Sequence, residues 1–429
     1  MIVGGRVKLT ATGRALKHRN FRFFFFGQLI SVTGTWMQSV AQALLVLNLV
    51  GPKDGPVALG LIGAVQFIPV MILGLFGGMI ADLWPKRRTI VVTQIASGLL
   101  ALILAVLAMT GTVQVWHVFA LGLILGIVNA VDMPTRQSFV VEMVGRDDVA
   151  NAVALNSAVF NGARIIGPVV AGVLIAIVGV GWCFTLNAIS YVAVVVGLLM
   201  MRDGELLPSP LLAMPHSIHE AGRDLAEGLS YVRRTPVVLL VVGMVGVVST
   251  FGMNFNVIVP ALGVVVLKLD PFGVGALYSA MGVGALIAAL IAASSVRPRL
   301  RLLIGGALVM GASEVALSFT TSFPVALACI FFAGLGAVAM AATANSLIQV
   351  TVPGPLRGRV MSVYTTVFVG STPAGNAFTG GLAGGFGTPL AILVDGAVSI
   401  LGAGAAAAVV LRGAVPTAEE PEDYASSSA

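Results

Sequence analysis

Three ionisable side chains lie inside long apolar runs of this 429-residue sequence: Arg164, Glu314 and Asp395. An ionisable group within a membrane span is costly to insert and is a functional candidate by default. Arg164 is a permanent cation, which either attracts an anionic or polyphenolic ligand or pairs with a carboxylate of another helix. Glu314 and Asp395 are candidates for taking up and releasing a proton, and the alternative is that each is a satisfied carboxylate within scaffold packing.

A second stretch that could do chemistry is Gly77–Arg88, which reads GGMIADLWPKRR. An apolar run ends here at Asp82, and the cations Lys86, Arg87 and Arg88 follow directly before the next apolar run. A cationic cluster between two membrane-length segments is expected in a tight loop on one face of the bilayer.

The charges of this loop are expected to form a latch between helix ends. Asp82 is predicted to pair with Arg359, which opens another apolar run, and a loop arginine is predicted to pair with Asp132. Arg136 lies one helical turn after Asp132 and is able to pair with it. The alternative is that these charges only set topology. The predicted latch residues are Gly78, Asp82, Lys86, Arg87, Arg88, Asp132, Arg136 and Arg359.

Uncharged polar groups mark a third set of candidates. The first apolar run carries Gln28, Ser31, Thr35, Gln38 and Gln42, which step by three or four residues and form one polar stripe on a helix. The stripe indicates either a water-filled cavity or contacts between helices. The residues predicted to line a substrate cavity are Gln38, Gln42, Asn161, Arg164, Asn254, Asn256 and Tyr364.

The composition excludes a soluble protein. Hydrophobic residues make up 58% of the chain, charged residues only 10%, and the mean hydropathy is +1.01, whereas about a quarter of the residues in globular domains are charged. The sequence divides into about twelve runs of the roughly 20 apolar residues that a spanning helix needs. It therefore predicts an all-α polytopic membrane protein. No metal cluster, phosphate loop or catalytic dyad is visible, so we expect neither a cofactor nor an enzyme.

The lysines and arginines are concentrated in alternate loops between the apolar runs. All lysines and arginines except Lys53, Lys268 and Arg164 fall in the N-terminal arm, in alternate loops or after the last apolar run. This asymmetry predicts that both termini are cytoplasmic. The net charge of +6 is thus explained by basic residues that orient the chain in the membrane, and nucleic acid is not an expected partner.

The chain divides into two similar halves. The predicted segments are a cytoplasmic arm (1–20), a first six-helix bundle (21–201), a cytoplasmic linker (202–236), a second six-helix bundle (237–412) and a disordered tail (413–429). An offset of 208 residues superposes Thr135, Ser138, Val144, Phe160, Gly162, Gly167 and Gly172 on Thr343, Ser346, Val352, Phe368, Gly370, Gly375 and Gly380. Parallel repeats of six helices are typical of transporters with a midplane substrate site.

Several of these motifs resemble those of the major facilitator superfamily. GGMIADLWPKRR resembles its loop signature, although Leu83 and Pro85 stand where arginine and glycine are usual. The run ARIIGPVVAG, with Gly167, Pro168 and Gly172, resembles the signature of its exporters on helix 5. VDMPTRQSFVVEMVGRDDVANAVALNS and PLRGRVMS are most similar to the branch that contains the enterobactin exporter and macrolide efflux proteins.

The resemblance implies twelve transmembrane helices in two pseudo-symmetric bundles, placed in the inner or plasma membrane. It also implies export of a drug, siderophore or other amphipathic small molecule by alternating access, with protons as the coupling ion. Gly122 stands near the position of an arginine that the family often links to proton relay. A solute importer of the same fold and a non-transporting membrane scaffold or sensor remain as alternatives.

Overall fold

The computed structural model describes the backbone of residues 13–207, 218–294 and 298–412, and their side chains except at 74–83, 218–221 and 294. These residues form α-helices joined by short turns. The side chain of Asp82 and the surroundings of Gly78, both predicted latch residues, therefore lie outside the described part of the chain. Residues 1–12 of the N-terminal arm and the whole predicted tail (413–429) also lie outside it.

The first bundle contains six helices. They are α1 (Arg19–Val50), α2 (Gly55–Leu83), α3 (Lys86–Met109), a long helix (Val115–Val178) that comprises α4 and α5, and α6 (Val180–Leu199). The long helix divides at Gly145, where a φ of 75° interrupts the helical geometry. Glycine takes this left-handed conformation readily because it has no Cβ.

The second bundle repeats this plan after a linker helix (Ile218–Arg234). Its first helix, α7 (Pro236–Val266), is interrupted at residues 252–254 and ends in a π-helical turn. The others are α8 (Pro271–Ser294), α9 (Leu300–Ser318), α10 (Phe323–Thr351), α11 (Gly354–Phe386) and α12 (Thr388–Leu411).

Most of these helices meet two criteria for crossing a bilayer, sufficient length and sufficient apolar composition. Ten of the described helices satisfy both criteria, and the one at Val115–Val178 holds two spans. The more polar α11 completes the predicted twelve. On α3, Val92, Leu99 and Val106 are each more than half exposed, as expected of a face that lies against lipid.

Glycines bring helices of the two bundles into direct contact. A Cβ at Gly380 of α11 would lie 2.7 Å from the carbonyl oxygen of Pro56 and 2.9 Å from Cα of Gly60, both on α2. A Cβ at Gly172 of α5 would lie 2.8 Å from the carbonyl oxygen of Pro271 on α8. Side chains at these positions would clash with backbone, so the close approach depends on glycine.

The equivalent glycines of the two repeats also make equivalent contacts inside their own bundles. A Cβ at Gly167 would lie 2.8 Å from the carbonyl oxygen of Thr33 on α1, and one at Gly375 would lie 2.5 Å from Oδ1 of Asn254 on α7. Thus α5 contacts α1 and α8, whereas α11 contacts α7 and α2. The packing reproduces the duplication that the sequence predicts.

We call the side of the membrane domain where α1 begins and α12 ends the basic side, because Lys86, Arg87 and Arg359 lie there, and the other side the opposite side. The glycine contacts between the bundles lie in the middle or toward the opposite side. A cavity of about 540 Å³ instead lies between the basic-side halves of α10 and α11. The bundles are therefore joined on the opposite side, and the cavity belongs to the basic side.

Candidate functional site

The basic loop before α3 fastens helix ends within the first bundle. Nζ of Lys86 lies 2.6 Å from a carboxylate oxygen of Glu142 at the end of α4. Arg87 pairs with Asp203 and donates to the carbonyl oxygens of Leu198 and Leu199 at the end of α6. Cations at the carboxyl end of a helix satisfy carbonyl groups that lack a partner within the helix.

The predicted pair of a loop arginine with Asp132 is not formed in this structure. Arg87 is engaged as above, and Arg88 is exposed. Asp132 is 1% exposed and pairs with Arg136, one turn along α4, which confirms that part of the prediction. Thr93 and Gln94 of α3 also donate to Asp132, and Arg136 donates to Oε1 of Gln28 on α1 at 2.7 Å.

Replacing Arg136 with alanine is expected to destabilise the protein by about 3 kcal/mol, because removing one partner leaves a buried charge without compensation. The matched control is Arg88→Ala, an exposed arginine of the same side, for which a change within about 0.5 kcal/mol is expected. Unfolding of the detergent-solubilised variants by heat measures both effects. Equal unfolding temperatures for the two variants would contradict the structural role of the pair.

Arg359 contacts the linker helix in the described structure. Its guanidinium lies 2.9 Å from a carboxylate oxygen of Asp224 and 2.7 Å from one of Glu227. The linker helix packs closely here, because a Cβ at Gly228 would lie 2.7 Å from the carbonyl oxygen of Arg359. Since the side chain of Asp82 lies outside the described residues, the latch between Asp82 and Arg359 stays a prediction.

Arg164 lies in the middle of α5 against aromatic rings. Its guanidinium carbon is 5.6 Å from the ring centroid of Trp36 on α1, and Trp36 in turn packs edge-on against Phe160 with centroids 5.7 Å apart. No described acidic residue pairs with Arg164, and its Nε is buried without a hydrogen-bond partner. The predicted alternative of an ion pair between helices is therefore absent among the described residues.

The polar stripe of α1 contacts two neighbouring helices of its own bundle, α4 and α6. Gln28 accepts from Arg136, and Oε1 of Gln38 accepts from Asn187 of α6 at 2.7 Å. The hydroxyl of Thr35 lies 3.5 Å from that of Tyr191 on α6. These bonds correspond to the contacts between helices that were one of the two predicted roles. Gln42 is half-buried.

The predicted cavity residues of the second bundle divide into buried and exposed ones. Asn254 is 1% exposed and donates to Thr379 of α11 at 2.9 Å; Asn256, two residues further along, is exposed. Asn254 therefore lies in the bundle interior in this structure, and its role in lining a substrate cavity stays a prediction.

The cavity of about 540 Å³ mixes aromatic and polar groups. Tyr364 and Phe368 of α11 stack with ring centroids 6.0 Å apart, and the Tyr364 hydroxyl donates to the carbonyl oxygen of Ala341. The lining residues are Ala341, Ala342, Asn345, Ser346, Tyr364, Thr365 and Phe368. In the first bundle, Phe160 occupies the position equivalent to Phe368 and is 51% exposed, and Asn161 next to it is half-buried.

The helix-5 motif and the two buried carboxylates lie in different places. Gly167 contacts α1, Gly172 contacts α8, and the carbonyl oxygen of Pro168 faces Gly275 of α8. Glu314 and Asp395 are completely buried between α9 and α12, away from the interface of the bundles. The sequence does not single out Trp36 or Thr379, which contact the candidate charges, because a lone tryptophan or threonine in an apolar helix is ordinary packing material.

Residues 10–428 match the family described as transmembrane secretion effector. The chain is 25% identical over 382 residues to the enterobactin exporter EntS of Escherichia coli O1:K1, covering 87% of each protein. It is 26% identical over 234 residues to the staphyloferrin A transporter of Staphylococcus aureus, a match that covers 50% of this chain and 58% of that protein.

Solved structures show the same fold at low sequence identity. A bacterial homologue of the human lysosomal transporter Spinster, inward-facing and unoccupied, superposes with a TM-score of 0.70 at 13% identity, covering 92% of this chain and 98% of that one. A POT family transporter in complex with 5-aminolevulinic acid gives 0.73 at 13% identity, covering 92% and 96%. The chain therefore belongs to the transmembrane secretion effector family of the major facilitator superfamily, and it is a multi-pass membrane transporter rather than an enzyme.

Proposed function

We propose that this protein exports an amphipathic small molecule with an anionic or phenolic group, by alternating access and in exchange for protons. Two similar proteins are named for the export of enterobactin and the transport of staphyloferrin A. The proposal places the protein in the inner or plasma membrane, with the basic side in the cytoplasm. A cavity on that side is where a molecule leaving the cell would enter.

The observation that carries the proposal is the cavity between α10 and α11. Its volume of about 540 Å³ lies within the range of about 300–1,000 Å³ that is usual for small-molecule sites. Aromatic faces from Tyr364 and Phe368 lie beside the amide of Asn345. Such a lining suits a ligand with both apolar and polar parts.

The positive charge of Arg164 supports an anionic or phenolic ligand. It lies near the middle of α5 without an acidic partner among the described residues, and its guanidinium carbon is 5.6 Å from the Trp36 ring centroid. In the low dielectric of a membrane domain, such a charge attracts an anion strongly. Phe160, which contacts Trp36, would present an aromatic face to the same ligand.

A substrate-panel efflux assay tests the proposal. The protein is expressed in a pump-deficient host, and accumulation of enterobactin, staphyloferrin A and amphipathic drugs of either charge is measured with and without a protonophore. Lower accumulation of at least one anionic compound, reversed by the protonophore, is the expected result. Uptake instead of efflux would favour an importer, and no movement across the panel would favour a scaffold or sensor.

Phe368→Ala is expected to lower efflux of the transported compound about tenfold, because the loss of one stacking ring costs about 1.4 kcal/mol of binding. Phe160→Ala at the equivalent position should behave in the same way. The matched control is Phe332→Ala, on the α10 face away from the cavity lining, for which no change is expected. Normal efflux by Phe368→Ala, at the same amount of protein in the membrane as the wild type, would show that the substrate does not pass through this cavity.

A further inference from the structure

Four buried polar side chains meet inside the second bundle, away from the cavity. Asn254 lies at the break in α7, Glu314 on α9, Thr379 on α11 and Asp395 on α12, and each is at most 1% exposed. The Asn254 amide donates to the Thr379 hydroxyl at 2.9 Å. The Thr379 hydroxyl donates to Oδ2 of Asp395 at 2.7 Å. We call these four residues the carboxylate cluster.

Glycines bring the two carboxylates of the cluster together. A Cβ at Gly396, next to Asp395, would lie 2.9 Å from Cβ of Glu314, and one at Gly311 would lie 2.8 Å from the carbonyl oxygen of Gly396. The backbones of α9 and α12 are therefore in contact at this level. Asp395, one residue before Gly396, therefore lies at the same level of the membrane domain as Glu314, and both side chains are in its interior.

Among the described residues, no hydrogen-bond donor reaches four oxygen atoms of the cluster. They are both carboxylate oxygens of Glu314, Oδ1 of Asp395 and Oδ1 of Asn254. Buried polar atoms are almost always hydrogen-bonded, and a buried ionised carboxylate without a cation is very costly. Two adjacent carboxylates cannot both be ionised in such a place. At least one of the two carboxyl groups therefore needs to carry a proton, which makes it neutral.

No described cation lies close enough to neutralise the pair. Along their helices, Arg301 is about 20 Å from Glu314 and Arg412 about 25 Å from Asp395, at 1.5 Å per residue. The charged or titratable residues of the helices around the cluster and their ends are Arg233, Arg234, Lys268, Asp270, Tyr278, Arg299, Arg301, Cys329, Arg357, Arg359, Tyr364 and Arg412. None of them forms a described hydrogen bond or ion pair with Glu314 or Asp395.

We propose that Glu314 and Asp395 share one proton, and that this is the proton exchanged for substrate. The inference deepens the proposed function and rests on it for the coupling role. Loss of the proton places an uncompensated charge beside Asn254, where α7 is interrupted at residues 252–254. A break in a helix is a place where backbone can rearrange and admit water. Proton release is thus linked to movement of α7 against α11, and hence to the contact between the bundles.

Infrared difference spectroscopy on the purified, lipid-reconstituted protein tests the site without any substrate. The wild type is expected to show a protonated carboxyl band at neutral pH that disappears at alkaline pH. The band should shift in frequency in Glu314→Gln and in Asp395→Asn and disappear in the double variant, and it should remain unchanged in the control Asp54→Asn, which alters an exposed loop. Because the amide resembles the protonated acid, both variants should fold normally. An unchanged band in both variants would overturn the proposal.

Transport by the same variants tests the coupling role. In Glu314→Gln, the rate of efflux driven by a pH gradient is expected to fall at least tenfold. Exchange of labelled for unlabelled substrate across the vesicle membrane, measured without a gradient, should continue. Efflux by Glu314→Gln that is as fast and as protonophore-sensitive as in wild type would overturn the role. If the wild type exports nothing from the panel while the infrared band behaves as expected, the proposed function fails and the proton site is supported.

Discussion

Gly380→Ala is expected to open the opposite side of the protein and to reduce transport strongly. The added methyl group would meet the carbonyl oxygen of Pro56 at 2.7 Å and Cα of Gly60 at 2.9 Å. Both are backbone atoms, so α2 and α11 must move apart. Overpacking of this kind costs about 1–3 kcal/mol, which would shift the equilibrium between conformations about 5- to 150-fold.

The neighbouring glycine provides the control for this experiment. A Cβ at Gly381 would meet nothing within 4 Å, so Gly381→Ala makes the same change in helix propensity without the clash. Spin labels at Asp54 and Phe386, both exposed near this contact, report the separation of the bundles. Gly380→Ala should populate longer distances than Gly381→Ala, and identical distance distributions would show that the contact does not hold the opposite side closed.

Arg164→Gln is expected to weaken binding of an anionic substrate about 10- to 150-fold, because hydrogen bonds to a charged group contribute about 1.5–3 kcal/mol. Arg164→Lys retains the charge but replaces the guanidinium that lies over the Trp36 ring, so an intermediate loss is expected. Binding of an uncharged panel compound should change little in either variant.

Quenching of tryptophan fluorescence measures these affinities, since Trp36 lies against the guanidinium. Repeating the titration in a Trp36→Phe background separates the signal of this residue from that of the other tryptophans. A control for position is Arg301→Gln, which removes an arginine at the basic-side start of α9. An equal loss of binding for the anionic and uncharged compounds would mean that Arg164 maintains the shape of the site and does not recognise charge.

The spans of the fold could be predicted because each signal is local. Apolar length fixes a transmembrane helix, and basic residues such as Lys86 and Arg87 mark the ends of spans in alternate loops. The twelve helices and the intrahelical pair of Asp132 with Arg136 follow from spacings within short segments. The structure confirms each of these.

The partners of single polar groups could not be predicted, because they depend on how helices rotate against one another. Gln38 reaches Asn187 on α6, and Arg87 reaches the end of the same helix, although nothing in the spacing of α1 or α3 selects that neighbour. The interruption of α7 could not be predicted either, because the sequence around Asn254 is apolar enough for one continuous span. Tertiary packing decides both cases.

The linker is anchored at both of its described ends. The backbone N–H of Leu207 donates to the carbonyl oxygen of Glu142 in the first bundle. Asp224 and Glu227 form ion pairs with Arg359 of the second bundle. A polypeptide severed between residues 207 and 218 would leave each fragment with its own attachment. Two separately synthesised proteins, encoded by a gene cut at that point, should therefore assemble in one cell into a working transporter.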